Sequence, residues 1–316
     1  MRGSLGSVRF EVALACAVAW ACGSGPQQQG FQVDAGDGGG SLTGGSSGGG
    51  SGSVSGGLVG DAGSSSGGGS NCSAAAAFVY VIDVNGVMYK FDPPTLQFTQ
   101  VGTVTCASGG AFSMSVDRNA VAWVLVQDGT IVRYDIVNHT CTPTSYAIGQ
   151  HSFQTFGMGF SADMPGSTAE TLFVSDSELT TPSTGGLAKI DTTSLTLTPV
   201  GQYDQLMGRR AEMTGTGDGR LFGAFEGSPY VVAEIDKQTA HIKSVAPQSA
   251  INYPPDSSNF AFAFWGGDFW LFVGPGTSTD VFQYQPSTNT TTKRTTETFE
   301  IVGAGVSTCA PTTPPQ

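Results

Sequence analysis

Tyr89-Lys90-Phe91-Asp92 is a short run of β-forming residues closed by an acid and followed by a turn, and the chain repeats it. It returns as Val132-Arg133-Tyr134-Asp135, Ala188-Lys189-Ile190-Asp191 and Ala233-Glu234-Ile235-Asp236, and degenerates to Phe282-Gln283-Tyr284-Gln285. The spacings between the closing residues are 43, 56, 45 and 49. A period of this size marks a supersecondary unit that cannot bury its apolar face alone and stacks on copies of itself.

The surrounding pattern is β throughout. Phe78-Val79-Tyr80-Val81-Ile82 and Val121-Ala122-Trp123-Val124-Leu125-Val126 are short, aromatic and β-branched, with turn residues at their ends. The second repeat reads as four strands: Phe112 to Val116 (a), Ala120 to Val126 (b), Thr130 to Ile136 (c) and Thr140 to Ala147 (d). Asp128-Gly129 supplies the b–c hairpin. Four-stranded units at this spacing resemble the blades of β-propeller repeat proteins, from Phe78 to Cys309. The resemblance implies an all-β, five-bladed propeller. Blade three then runs from Thr155 to Tyr203, blade four from Arg210 to Val245 and blade five from Asn259 to Thr295.

Blade one has strands b (Ala77 to Asp83), c (Val87 to Asp92) and d (Leu96 to Val104) but no strand a before them. Phe299-Glu300-Ile301-Val302-Gly303-Ala304-Gly305-Val306 resembles the inner strand Phe156-Gly157-Met158-Gly159-Phe160. A C-terminal inner strand completing blade one closes the ring and removes the open sheet edge. Ser113 and Ser115, Gly157 and Gly159, Ala261 and Ala263, and Gly303 and Gly305 alternate with bulkier neighbours, as converging inner strands require. Blade four departs from this with Glu212 and Thr214.

Outside the N-terminal segment the cysteines are Cys72, Cys106, Cys141 and Cys309. Four cysteines in an exported chain suggest two disulfides, with three connectivities open. Ring closure places Cys309 after strand a of blade one and Cys72 before its strand b, so these two are expected to pair. Cys106 and Cys141 remain as the second pair, although strand geometry does not obviously bring them together.

The ends of the chain differ from its middle. Residues 1–22 read as a signal peptide: Arg2 and Arg9 give a positive start, Val12 to Ala21 is apolar, and small residues precede Cys22. Ala19-Trp20-Ala21-Cys22 resembles the box of bacterial exported lipoproteins, which implies lipidation of Cys22, although Ala19 stands where that family usually has leucine. Between residues 23 and 71, 31 of 49 residues are Gly or Ser. Such a segment buries too little apolar surface to order itself and is expected to be a disordered tether, with an end-to-end distance of roughly 40 Å. The propeller is expected over 72–310, with 311–316 a disordered tail.

The net charge is −12, with charged residues only 12% of the chain. Nucleic-acid binding is disfavoured, since phosphate contacts need clustered Lys and Arg. No Cys-x-x-Cys, phosphate loop, dinucleotide fingerprint or Gly-x-Ser-x-Gly is present, and no cofactor is implied. His139, His151 and His241 fall in different blades without ligand spacing. The blade-end acids Asp92, Asp135, Asp191 and Asp236 recur as turn-makers recur, as do Asp117, Asp163, Asp218 and Asp268 between strands a and b.

Chemistry peculiar to this chain is therefore sought where the repeat breaks. Glu212 is a carboxylate on a predicted inner strand, beside Arg209 and Arg210, and these three form the candidate ligand site. Glu212 either binds a cation or polar ligand or acts as acid or base near the axis, or pairs with an arginine and closes the channel. Five-bladed glycosidases use several axial carboxylates, and the other inner strands offer none in the corresponding places. Blade three has two longer connections, Ser161 to Ala169 and Ser177 to Gly185, which should project from opposite faces. Trp123, Trp265 and Trp270 either stack on sugars or fill the space between blades.

The expected protein is an exported monomer, tethered to the bacterial outer membrane or cell surface by its N-terminal lipid, or else periplasmic or secreted. Its expected role is non-catalytic binding of a protein or glycan. The alternative is a propeller hydrolase or lactonase with a site near the central channel.

Overall fold

The computed structural model describes residues 71–177, 186–254 and 259–314. The leader, Cys22 and the Gly/Ser segment up to residue 70 lie outside the described residues.

Short alternating strands joined by tight turns build five four-stranded antiparallel sheets. The first contains β1 (Val79–Asp83), β2 (Val87–Asp92) and β3 (Gln97–Thr103). The second contains β4 (Ala111–Val116), β5 (Val121–Val126), β6 (Ile131–Asp135) and β7 (Thr140–Pro143). The third contains β8 (Phe156–Ala162), β9 (Glu170–Asp176), β10 (Gly186–Ile190) and β11 (Leu197–Gln202). The fourth contains β12 (Ala211–Gly215), β13 (Leu221–Phe225), β14 (Tyr230–Ile235) and β15 (Ile242–Gln248). The fifth contains β16 (Asn259–Trp265), β17 (Asp268–Gly274), β18 (Thr279–Gln285) and β19 (Thr290–Glu297). The last strand, β20 (Ile301–Gly305), returns to β1, with Tyr80 opposite Gly305 and Ile82 opposite Gly303. The chain is an all-β, five-bladed β-propeller closed by its C-terminal inner strand.

The inner strands stand side by side around the axis in the order β20, β4, β8, β12, β16. Their backbones approach closely, which explains the small residues. A Cβ on Gly157 would overlap the carbonyl oxygen of Ala211. One on Gly159 would lie 2.7 Å from the carbonyl carbon of Met213, and one on Gly303 2.8 Å from the amide nitrogen of Met114.

Larger side chains fill the wedges between blades. Phe91 of blade one packs edge-on against Trp270 and Phe272 of blade five. Trp123 of blade two meets Phe160 of blade three. Trp123 and Trp270 are 2% and 3% exposed, and half-buried Trp265 donates from Nε1 to the Ala77 carbonyl at 2.9 Å. These indoles serve packing rather than sugar stacking.

The recurring acids shape turns. Asp135, Asp191 and Asp236 each accept backbone N–H groups two and three residues ahead, at 2.8–3.1 Å. These bonds favour the charged form and hold all three carboxyls below their usual value. Asp117 shapes the turn between β4 and β5, accepting from the N–H groups of Asn119 and Val121.

Both disulfides form as Cys72–Cys309 and Cys106–Cys141, with Cα separations of 6.0 and 5.6 Å. The second becomes intelligible from the lean of the outer strand. The end of β3 lies over the next blade, where a Cβ on Gly102 would collide with the Tyr134 hydroxyl. Sheet twist carries an outer strand sideways relative to its inner one, and so brings Cys106 to β7.

The start of the expected disordered tail is placed differently. Pro311 accepts a hydrogen bond from the Gly266 N–H at 2.8 Å, and residues 312–314 lie against Gly266 and Gly267. The turn between β16 and β17 gives these residues a surface to rest on.

Candidate functional site at the channel mouth

Each inner strand begins on one face of the ring, which also carries the b–c turns. Ala111 and Phe112 open β4, Asn259 and Phe260 open β16, and Glu300 and Val302 lie at the start of β20. Arg210 precedes β12 and Glu212 lies within it. With Val84, Gln127 and Ser177 from the ends of outgoing strands, these residues surround a cavity of about 120 Å³.

Glu212 forms the floor and is 4% exposed. Its Oε2 accepts from the Ser113 hydroxyl at 2.7 Å. Ser113 lies two blades away, on β4, so the side chain reaches past the intervening inner strand β8. Burial pushes the Glu212 carboxyl well above its usual range, against the opposing effects of Ser113, Arg210 and the Met158 backbone.

The arginines separate. Arg210 holds Glu226 from Nε at 2.7 Å and Nη2 at 2.6 Å while still lining the cavity. Arg209 turns to the Pro229 carbonyl, 3.5 Å from Nη1. Alternation along the backbone explains the split: residues 210 and 212 share a side and residue 209 faces the other. Thus two of the three residues predicted for the site come together there.

Glu300 is the main addition to the sequence reading. It lines the same cavity as Glu212, and burial together with the nearby Asp83 charge raises its carboxyl. Its signal was present at the start of the closing strand, three residues before the small-residue alternation begins at Gly303. Asn259 has a structural role, donating to Ile301 O at 2.6 Å and accepting from Gly276 N at 2.9 Å.

Of the two long connections of blade three, only the first lies wholly within the described residues. Ser177 borders the cavity, and residues 178–185 lie outside the described residues. The Ser161 to Ala169 connection lies on the far face, where the Ser167 carbonyl accepts from Arg118. There Glu170 accepts from the Arg118 backbone at 2.8 Å and the Thr308 hydroxyl at 2.7 Å, and Arg118 reaches Thr308 and the Cys72 sulfur. This cluster ties blades one, two and three beside the closing disulfide.

Burial pushes the Glu170 carboxyl up to about 7. The folded state therefore retains a proton there that the unfolded chain has already lost. That contribution is fully present below about pH 4.5 and disappears as pH rises through 7, by at most ~3 kcal/mol. Glu212 acts in the same direction. The turn aspartates act oppositely, stabilising above their unfolded value near 3.8. Stability should peak at roughly pH 5, and Glu170→Gln should flatten the decline between pH 5 and 7.5 in urea titrations. An unaltered slope would refute this assignment.

Among the described residues no group of three or more His, Cys, Asp or Glu side chains could hold a metal ion. His241 pairs with Asp204 at 2.7 Å, and His139 meets the Tyr134 hydroxyl at 3.3 Å.

No family model matches the chain, and no curated protein does. Among solved structures, it is similar to TolB from Acinetobacter baumannii, with a TM-score of 0.41 and 12% identity over 69% of this chain and 51% of that one. It is also similar to the extracellular domain of the putative one component system BT4673 from B. thetaiotaomicron, with a TM-score of 0.37 and 14% identity over 72% of this chain and 29% of that one. A third is YCF48 bound to D1 peptide, at 0.35 and 15% over 68% and 63%. The chain spans about half the length of the first and under a third of the second. All three TM-scores lie below 0.5, and the fold described above rests on the chain's own strands.

Proposed function

We propose that this chain is an exported, non-catalytic β-propeller that binds a protein partner at its channel mouth. The N-terminal signal, lipidated Cys22 and the Gly/Ser segment would tether it to the bacterial surface. The two disulfides support an oxidising compartment. The observation that carries the binding reading is the mouth cavity. It is concave, half polar and half aromatic or aliphatic, and Glu212 floors it. Trp123, Trp265 and Trp270 are committed to packing, which removes the main support for a glycan platform.

Peptide and glycan arrays probed with the mature chain and with Gln127→Trp test this. Gln127 is an exposed turn residue at the rim, so the indole covers the mouth without disturbing the core. Peptide signals should be lost in the variant. Glycan signals alone would overturn the protein partner, and equal binding by both chains would overturn the mouth as the site.

One observation favours a second reading. Glu212 and Glu300 line the same cavity, and two carboxyls in different surroundings are what a hydrolase uses as acid and base. Hydrolysis of glycoside or lactone substrates, abolished by Glu212→Gln and by Glu300→Gln, would establish it in place of simple binding.

A further inference from the structure

We propose that the mouth receives the ammonium group of a lysine side chain from the partner polypeptide, an inference that rests on the mouth being the binding site. Two independent features of the cavity point to a cation. The first is its aromatic lining: Phe112 and Phe260 border it from the two inner strands that flank β20, and aromatic rings attract ammonium groups most strongly where water is scarce.

The second is the balance of charge around the cavity. Glu212 forms the floor and Glu300 the rim, with Asp83 close enough to raise Glu300 further. Arg210 is the cation among the lining residues, and its guanidinium is held by Glu226. Among the described residues, Glu300 has no cationic partner. A further positive charge at the mouth would meet that carboxyl. Both lining carboxyls are raised, chiefly by burial. A cation entering the cavity would favour their charged forms and release protons.

Lysine fits better than arginine. Ser113 and the Met158 backbone already engage the Glu212 carboxyl, so a guanidinium fork would have to displace them. A compact ammonium needs only one acceptor. The net charge of −12 would also steer a basic partner towards the protein.

Calorimetric titration of the mature full chain with Ac-Gly-Gly-Lys-Gly-Gly-amide tests the assignment. The matching acetyl-lysine and arginine peptides serve as comparisons. The lysine peptide should bind about 10-fold tighter than its acetylated form, as expected for a charge-assisted contact. Its affinity should fall with salt, and titrations in two buffers of different ionisation enthalpy should report proton release near pH 7. Glu300→Gln, at the solvent-facing rim, should weaken lysine binding about 5- to 10-fold while leaving the urea midpoint close to that of the parent chain. Equal binding of lysine and acetyl-lysine peptides, tighter binding of arginine, or an unaffected Glu300→Gln would each overturn the ammonium assignment. If Gln127→Trp still abolishes array binding in that case, the mouth stands and only the ligand chemistry falls. If Gln127→Trp changes nothing on the arrays, the mouth reading itself has failed.

Discussion

Gly157→Ala is expected to destabilise the propeller by more than ~3 kcal/mol, the range reached only when a core is overpacked or its backbone displaced. The added methyl would overlap the carbonyl oxygen of Ala211 on the neighbouring inner strand. Backbone atoms cannot step aside as a flexible side chain can. Relief would require β8 and β12 to separate, which also pulls Glu212 away from Ser113. Gly166→Ala is the matched control. Gly166 has φ +74° and nothing within 4 Å of a Cβ, so it should cost only about 1 kcal/mol of backbone strain. Urea denaturation of both variants measures the difference. A Gly157→Ala chain within 1 kcal/mol of its parent would show that strand convergence does not demand glycine there.

The second large effect concerns ring closure. Replacing Cys72 and Cys309 together by alanine removes a crosslink spanning 237 residues of sequence. The chain-entropy relation gives about 5 kcal/mol for a loop of that size, an upper figure. The Cys106–Cys141 pair spans only 35 residues, for which the same relation gives about 4 kcal/mol. The first pair also closes blade one, where β20 and β1 pair without a hairpin connecting them. Its loss should therefore produce the greater fall in urea midpoint. A greater fall on removing Cys106 and Cys141 would contradict this ranking.

Much of this architecture can be read from the residues. The phrase ending at Asp92, Asp135, Asp191 and Asp236 gives the period, and small-residue alternation at Gly157 and Gly303 identifies inner strands from opposite ends of the chain. The closing disulfide follows from that pairing. The Cys106–Cys141 bond does not, because the sideways lean of an outer strand comes from accumulated twist, which no residue pattern in β3 records. The mouth was half legible. Glu212 stands out because it interrupts a pattern, while Gln127 lies in a turn between strands and Phe260 opens an inner strand without interrupting anything. Adjacent arginines look equivalent in the sequence, yet backbone alternation sends Arg209 and Arg210 to different surroundings.

The closing disulfide also orients the molecule. β20 starts at the cavity and ends beside Cys309, so Cys72 and Asn71 leave the ring at the pole opposite the mouth. Whatever holds the chain by the residues before Asn71 therefore holds it by its closed end. The cavity opens on the other pole, so an attachment through those residues leaves the mouth unobstructed.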